Sequence, residues 1–382
     1  MDVKAAVLQA IPGELVIDEV QIDKPGPREV LVRTVAAGCC HSDLHFMEGK
    51  YPYMTPGVMG HESAGIVEAV GADVSHVEPG DHVITCLSVF CGQCEFCVSG
   101  KPNLCTKEAV RRAGDAPPRL SQNGSPVFQF LDLSSFAEQM LVHEGAVVKI
   151  SDDMPLDRAA LLGCGVTTGL GAVINTAGVR AGETVAVIGC GGVGLAAVQG
   201  AAIAGAGRII AVDMVPSKLD LARRFGATDT VNAKDADPIG TVMEMTRGGV
   251  DHAFEAIGLK VAAEQAFAML KPGGCATVIG MIPVGDSVEL PGFAFLAEKK
   301  IQGSNMGSNR FRVDMPRYVD MYLQGPAQPR RHDLDPHPAR RGQCRLRPDA
   351  DRRDRPRRHP VRLMRRRKIL RAARTKPPAH AS

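Results

Sequence analysis

Residues 184–194 constrain what this chain can fold into more than any other stretch. Val185, Ala186, Val187 and Ile188 form an apolar, mostly β-branched run of the kind buried on both faces of a parallel sheet. The run breaks into Gly189-x-Gly191-x-x-Gly194 and continues over 195–202 as a helix. Gly189 permits a tight turn, and Gly191, followed by Gly192 and Val193, lets a pyrophosphate approach the backbone. Gly194 lets helix and strand pack closely. The helix N-terminus then presents unpaired N–H groups and partial positive charge. A glycine triplet alone is weak, because a turn before any helix looks similar. Here a second strand follows over 208–213, and Asp213 closes it 19 residues after Gly194. A carboxylate there accepts from a ribose 2′-OH and repels a 2′-phosphate. The pattern predicts a dinucleotide site that prefers NAD to NADP.

Beyond Asp213 the rhythm continues: helix 216–225, strand 229–232, helix 238–246, strand 251–256, helix 260–270, strand 275–280. Such alternation means an α/β fold with a doubly wound parallel sheet. Residues 1–37 alternate instead, with Pro25-Gly26-Pro27 as punctuation. Short strands continue through 65–84 and 135–150, which predicts a small antiparallel barrel or sandwich. A chain of 382 residues accommodates both as separate domains. Residues 106–126 read as an exposed excursion. Nothing near Met1 resembles a signal peptide, and no apolar run reads as long enough to span a bilayer, so a cytoplasmic protein without a membrane partner is expected.

Eleven cysteines in such a chain point to metal rather than disulfides. Cys91-x2-Cys94-x2-Cys97-x7-Cys105 is the strongest local signal. Four thiolates this close can close a tetrahedral site with no open position. An iron–sulfur cluster uses the same donors, but a closed site in a loop fits a structural zinc better. Farther upstream lie Cys39, Cys40, His41, Asp43 and His45, then His61 and Glu62. Thiolate and imidazole suit zinc, but two adjacent cysteines cannot both aim comfortably at one ion. Asp43 could orient His61 by accepting from its second ring nitrogen.

Together these residues resemble the zinc-dependent medium-chain alcohol dehydrogenases. The resemblance covers about 1–325 and rests on Cys40-His41-Ser42-Asp43, Gly60-His61-Glu62, the four-cysteine lobe, Gly163-Cys164-Gly165 and the glycine turn with its Asp. It implies a GroES-like catalytic domain over 1–158, a Rossmann domain over 159–307 and a return to the catalytic domain over 308–325. It implies two zinc ions, one structural in the lobe and one catalytic on Cys40, His61 and Cys164, with Glu62 close behind. Ser42 and His45 resemble a proton relay, His41 a pyrophosphate contact, Thr168 a neighbour of the nicotinamide, and Lys218 a ribose contact. The implied reaction is reversible hydride transfer between an alcohol, held as alkoxide, and NAD, giving an aldehyde or ketone. A thiol-adduct formaldehyde dehydrogenase fits the same motifs. A homo-oligomer is expected.

After Gly325 the resemblance stops. Residues 326–382 carry 17 Arg, 2 Lys and 9 Pro against 5 Asp, and little apolar periodicity. Such a composition reads as a disordered basic tail, or as a polyanion attachment. The preferred reading is translation in a shifted frame: permitted codons for 326–364, read one base on, can spell a helical stretch, an apolar strand and a stop. The chain would then lack about forty family residues, and an inactive misframed product whose tail merely binds polyanions is the non-enzyme alternative. A dedicated nucleic-acid partner is not expected.

Overall fold

A computed structural model describes residues 1–325. The shifted-frame reading of 326–382 lies outside the described residues.

The apolar runs do form one parallel sheet. Its strands are β1 (Thr184–Ile188), β2 (Arg208–Asp213), β3 (Asp229–Asn232), β4 (Val250–Glu255), β5 (Leu270–Val278) and β6 (Lys300–Gly303). They lie in the order β3-β2-β1-β4-β5-β6, all parallel. The order reverses at β1, so the crevice beyond its C-terminal end is where a ligand fits. Val185, Val187, Ile209, Ala211 and Phe254 pack on one face of this sheet. Ala186, Ile188, Ile210, Val212 and Ala253 pack on the other. Coverage on both faces explains why β1 reads as continuous rather than alternating hydrophobicity.

The remaining strands form two smaller sheets. The first is ordered 125–126, 120–122, 15–22, 2–8, 57–58 and 128–129; the second is ordered 139–143, 29–37, 63–70, 82–85 and 147–149. Pairing is antiparallel except between Gly57–Val58 and Phe128–Gln129, which run parallel because the chain returns from a long loop. The excursion over 106–126 is better anchored than its composition suggests. It contributes the hairpin of 120–122 and 125–126, and it carries Arg112 and Arg119 to the buried carboxylate of Glu29, at 2.9 and 2.6 Å. A carboxylate buried in a sheet needs cations brought to it, and this loop brings them.

A 22-residue apolar helix, Leu156–Ala177, joins the two parts. By length and composition it could cross a membrane, contrary to the sequence expectation, but 78% of its most apolar window is buried inside the protein. It is a core helix here. Two π-helical turns interrupt it, at Leu162–Val166 and Ala172–Ala177. The last described helix, Phe311–Leu323, comes back to the β-rich part. There Arg312 donates to the carbonyls of Glu144 and Val147 and lies over the Phe90 ring.

Candidate metal centre and dinucleotide crevice

Cys40 ends the turn after strand Glu29–Ala37 and caps the helix His41–Met47. His61 follows strand Gly57–Val58, and Cys164 sits in the first π turn of the long helix. Three distant segments thus bring one donor atom each to within 4.8 Å of one another. Cys39 is exposed and stands outside this group, so of the adjacent pair Cys40 is the inward one. Asp43 organises the site from behind. One oxygen accepts from the Cys40 backbone N–H at 2.9 Å, and the other lies 3.2 Å from His61 Nδ1. With Nδ1–H donating there, Nε2 offers a lone pair, and this buried nitrogen has no hydrogen-bond partner.

An orphaned imidazole nitrogen beside two thiols is the donor set of a zinc site with a fourth position open. A hydrogen bond from Cys164, together with the neighbouring His61, holds the Cys40 thiol well below its ordinary range. The Cys164 thiol is correspondingly raised by that bond and by burial. Glu62 is buried beside Gly38 and Gly165, and burial raises its carboxyl well above the usual range, with the Cys40 charge adding to the effect.

The relay candidates lie on the next helical turn. Ser42 Oγ is 3.6 Å from Cys40 Sγ and donates to Met281 Sδ at 3.2 Å. His45 is buried, stacks on Tyr51 and meets His41 edge-on. Burial, then the His41 charge, lowers its pKa. Tyr51 in turn donates to the Ile282 carbonyl, tying this wall to the loop after β5.

In the second sulfur group, Cys94 Sγ lies 3.5 Å from that of Cys97 and 3.7 Å from that of Cys105, while Cys91 is 3.9 Å from Cys97. These are ligand spacings, well beyond a disulfide bond. Backbone N–H groups of Gln93, Cys94 and Lys107 point at the sulfurs, as thiolates require. Backbone N–H groups of Cys97 and Thr106 bring the Cys94 thiol down to about 6.

The glycine turn has the geometry its sequence demands. Gly189 has φ +96°, and a Cβ on Gly194 would lie 1.7 Å from the Gly189 carbonyl oxygen. A Cβ on Gly191 or Gly192 would meet nothing within 4 Å, which leaves an open cradle at the start of helix Gly192–Ile203. Such a cradle fits a pyrophosphate. Val193 lies in the first turn of that helix. Asp213 closes β2 and accepts from the N–H groups of Cys190 and Val215. Lys218 Nζ is 3.7 Å from the same carboxylate. Thr168, on the long helix, donates to Met306 Sδ at 3.3 Å.

Tyr51, Met281 and Met306 were not singled out in the sequence. Their contacts join apolar or sulfur groups far apart in the chain, and no spacing announces them.

A doubly wound sheet with a glycine-turn crevice, joined to a β-rich unit holding an open Cys-His-Cys site and a closed four-cysteine site, defines a zinc-binding dehydrogenase. Residues 192–323 match the zinc-binding dehydrogenase family, and residues 26–152 match the alcohol dehydrogenase GroES-like domain. Alcohol dehydrogenase class-3 of Zea mays is 42% identical over 332 residues, 84% of this chain and 87% of that protein. An S-(hydroxymethyl)glutathione dehydrogenase of Haemophilus influenzae is 41% identical, covering 85% and 88%. The crystal structure of benzyl alcohol dehydrogenase from Acinetobacter calcoaceticus superposes with TM-score 0.80 at 36% identity, over 85% of this chain and 90% of that one. The chain belongs to the zinc-dependent medium-chain alcohol dehydrogenase family.

Proposed function

We propose that this chain is an NAD-dependent alcohol dehydrogenase. The observation that carries the reading is the orphaned His61 Nε2 beside the thiols of Cys40 and Cys164, with the Ser42 hydroxyl next to it. When bound, zinc supplies Lewis-acid polarisation of an alcohol oxygen, and nicotinamide supplies the hydride acceptor. Cys40, His61 and Cys164 hold the metal, and Asp43 fixes the orientation of His61. Glu62 sits close behind them. Ser42 Oγ accepts the alcohol proton as it gives up its own, and His45, its pKa lowered by burial and by His41, is the exit to solvent, the nicotinamide ribose being the group that would bridge the two. The cradle at Gly189, Gly191, Gly192, Val193 and Gly194 receives the pyrophosphate, with His41 as a further pyrophosphate contact. Asp213 accepts from the adenosine ribose, with Lys218 beside it, and Thr168 packs against the nicotinamide. The lobe of Cys91, Cys94, Cys97 and Cys105 takes a second, structural zinc.

The substrate reading favours an alcohol with an apolar, aromatic body. Phe130 stands edge-on to His61 at 5.6 Å and is itself flanked by Phe46 and Tyr53 at 4.9 and 5.3 Å. The Ser42 and Thr168 hydroxyls both face methionine sulfur. The relatives named S-(hydroxymethyl)glutathione dehydrogenase keep a thiol adduct as the second reading. No disulfide joins the ten cysteines among the described residues, which fits the reducing cytoplasm expected from the sequence. A homo-oligomer is supported by the edge of β6, unpaired among the described residues, and by the exposed Phe293 and Leu296 just before it.

The test is NADH formation from a panel of aliphatic and aromatic alcohols, and from formaldehyde, each with and without a low-molecular-weight thiol. Turnover of aromatic alcohols without thiol is expected. Activity on formaldehyde only with thiol would favour the second reading. No NADH in any arm, from protein carrying both zinc ions, would leave the misframed, inactive product.

A further inference from the structure

Between β6 and the last helix the backbone adopts a conformation that L-residues avoid. Met306, Gly307 and Ser308 all have positive φ, at +50°, +66° and +46°. Two of the three carry side chains, and such strain persists only where the surroundings over-determine it. The surroundings here come from two sides. From the long helix, Asn175 donates to the Gly307 carbonyl at 3.2 Å, and the Thr176 hydroxyl lies 2.8 Å from those of Ser304 and Ser308. From the four-cysteine lobe, Asn103 donates to the Asn305 carbonyl, and Asn305 donates back to the Asn103 carbonyl, both at 3.2 Å. Asn309, fully buried, completes the clamp by donating to the Ser88 hydroxyl and to the Met306 carbonyl, at 2.9 and 2.8 Å. Ser88 itself lies just before the first lobe cysteine.

The strained turn presents one side chain to the crevice wall. Met306 is buried, and its sulfur accepts from the Thr168 hydroxyl. The lobe therefore reaches the cofactor wall through a short chain of contacts: Cys97 and Cys105 bracket Asn103, Asn103 holds Asn305, and Asn305 precedes Met306. Nothing in a closed structural metal site requires such a reciprocal amide pair, because four thiolates already hold the lobe together.

We propose that the four-cysteine lobe sets the nicotinamide side of the crevice, with Asn103 and Asn305 as positioning residues that hold Met306 against Thr168. The lobe is thus coupled to cofactor binding rather than only to folding. The proposal rests on the reading of Thr168 as a nicotinamide neighbour. The lost contacts are ordinary amide hydrogen bonds on a strained segment, so a loss of about three- to tenfold in cofactor affinity is the expected scale.

The experiment uses the full chain with both zinc sites filled, comparing wild type with Asn103→Ala, Asn305→Ala and the double variant. NADH dissociation constants come from fluorescence titration, KM is measured separately for NAD and for the alcohol, and zinc is counted by elemental analysis. Methionine methyl 13C resonances are recorded without cofactor, with Met306 assigned through Met306→Leu. The expected result is a shifted Met306 resonance, a NADH dissociation constant and an NAD KM raised about three- to tenfold, an unchanged alcohol KM, and two zinc ions retained. A Met306 resonance and a NADH affinity that stay unchanged in the double variant overturn the proposal. A weakened affinity that tracks loss of lobe zinc also overturns it, because folding alone then explains the effect. A shifted resonance without any change in cofactor affinity refutes the coupling while sparing the proposed activity. Wild-type protein that holds no NADH refutes the proposed activity itself, and the coupling with it.

Discussion

At the scale of single residues, carboxylates do unlike work according to what surrounds them. Asp213 gives one oxygen to the Cys190 N–H and the other to the Val215 N–H, so its position at the crevice rim is fixed before any cofactor arrives. We expect Asp213→Gly to lower kcat/KM for NAD about tenfold and to narrow the NAD-to-NADP ratio, since a charged hydrogen-bond partner and a like-charge repulsion vanish together. Equal kcat/KM with both cofactors in the wild type would remove the basis for this. Glu29 answers instead to acid. Burial works to raise its carboxyl, but the hydrogen bonds from Arg112 and the charge of Arg119 outweigh burial and hold it at about 2, below the ordinary 4.5. A depressed folded value stabilises the fold above the unfolded value, and that stability is lost as pH falls from about 4.5 toward about 2. Melting temperature should fall across that window in the wild type. Glu29→Gln should flatten the fall and cost about 3 kcal/mol at neutral pH by leaving two guanidinium groups without their buried partner.

Elements carry the next set of constraints. The glycine turn was legible from sequence because every requirement falls within a few residues: the strand, the positive φ at Gly189 and the close approach at Gly194. Gly194→Ala would set a Cβ 1.7 Å from a carbonyl oxygen. We expect it to abolish NADH binding and to destabilise the protein by about 1–3 kcal/mol, read by titration and by melting. The four-cysteine lobe was legible for the same local reason. The open metal centre was less so, since Cys40, His61 and Cys164 lie on three elements, and only the family resemblance joined them. Asp43 behind His61 could be inferred from residue chemistry alone. The π turn that aims Cys164 inward could not, because apolar helical periodicity does not reveal one extra residue per turn. Nor could Met281, Met306 and Tyr51, whose contacts arise only when the two halves meet. Cys164→Ala should lose one zinc of two by elemental analysis, and the remaining ion should resist chelators, because the lobe shares no ligand with the open site.

At the scale of the whole molecule, the large sheet among the described residues ends at β6, which has one unpaired edge there. Phe293 and Leu296, exposed at 84% and 78%, stand in the segment leading to it. An open edge beside apolar side chains is a surface that natural proteins cover. We expect a homo-oligomer by sedimentation equilibrium, and Phe293→Glu with Leu296→Glu should shift it to a single chain while leaving both zinc ions in place. Retention of the assembled mass would put the interface elsewhere. The long helix meanwhile does two jobs along one rod. Its π turn delivers Cys164 to the metal centre, and at Gly169 it touches the dinucleotide helix so closely that a Cβ would sit 2.3 Å from the Val193 carbonyl. For an engineer this sets the unit of exchange. Grafting a glycine turn from an enzyme of different cofactor preference means transplanting the facing half of the long helix with it, since a chimera that breaks this contact would move a metal ligand while trying to change a ribose contact.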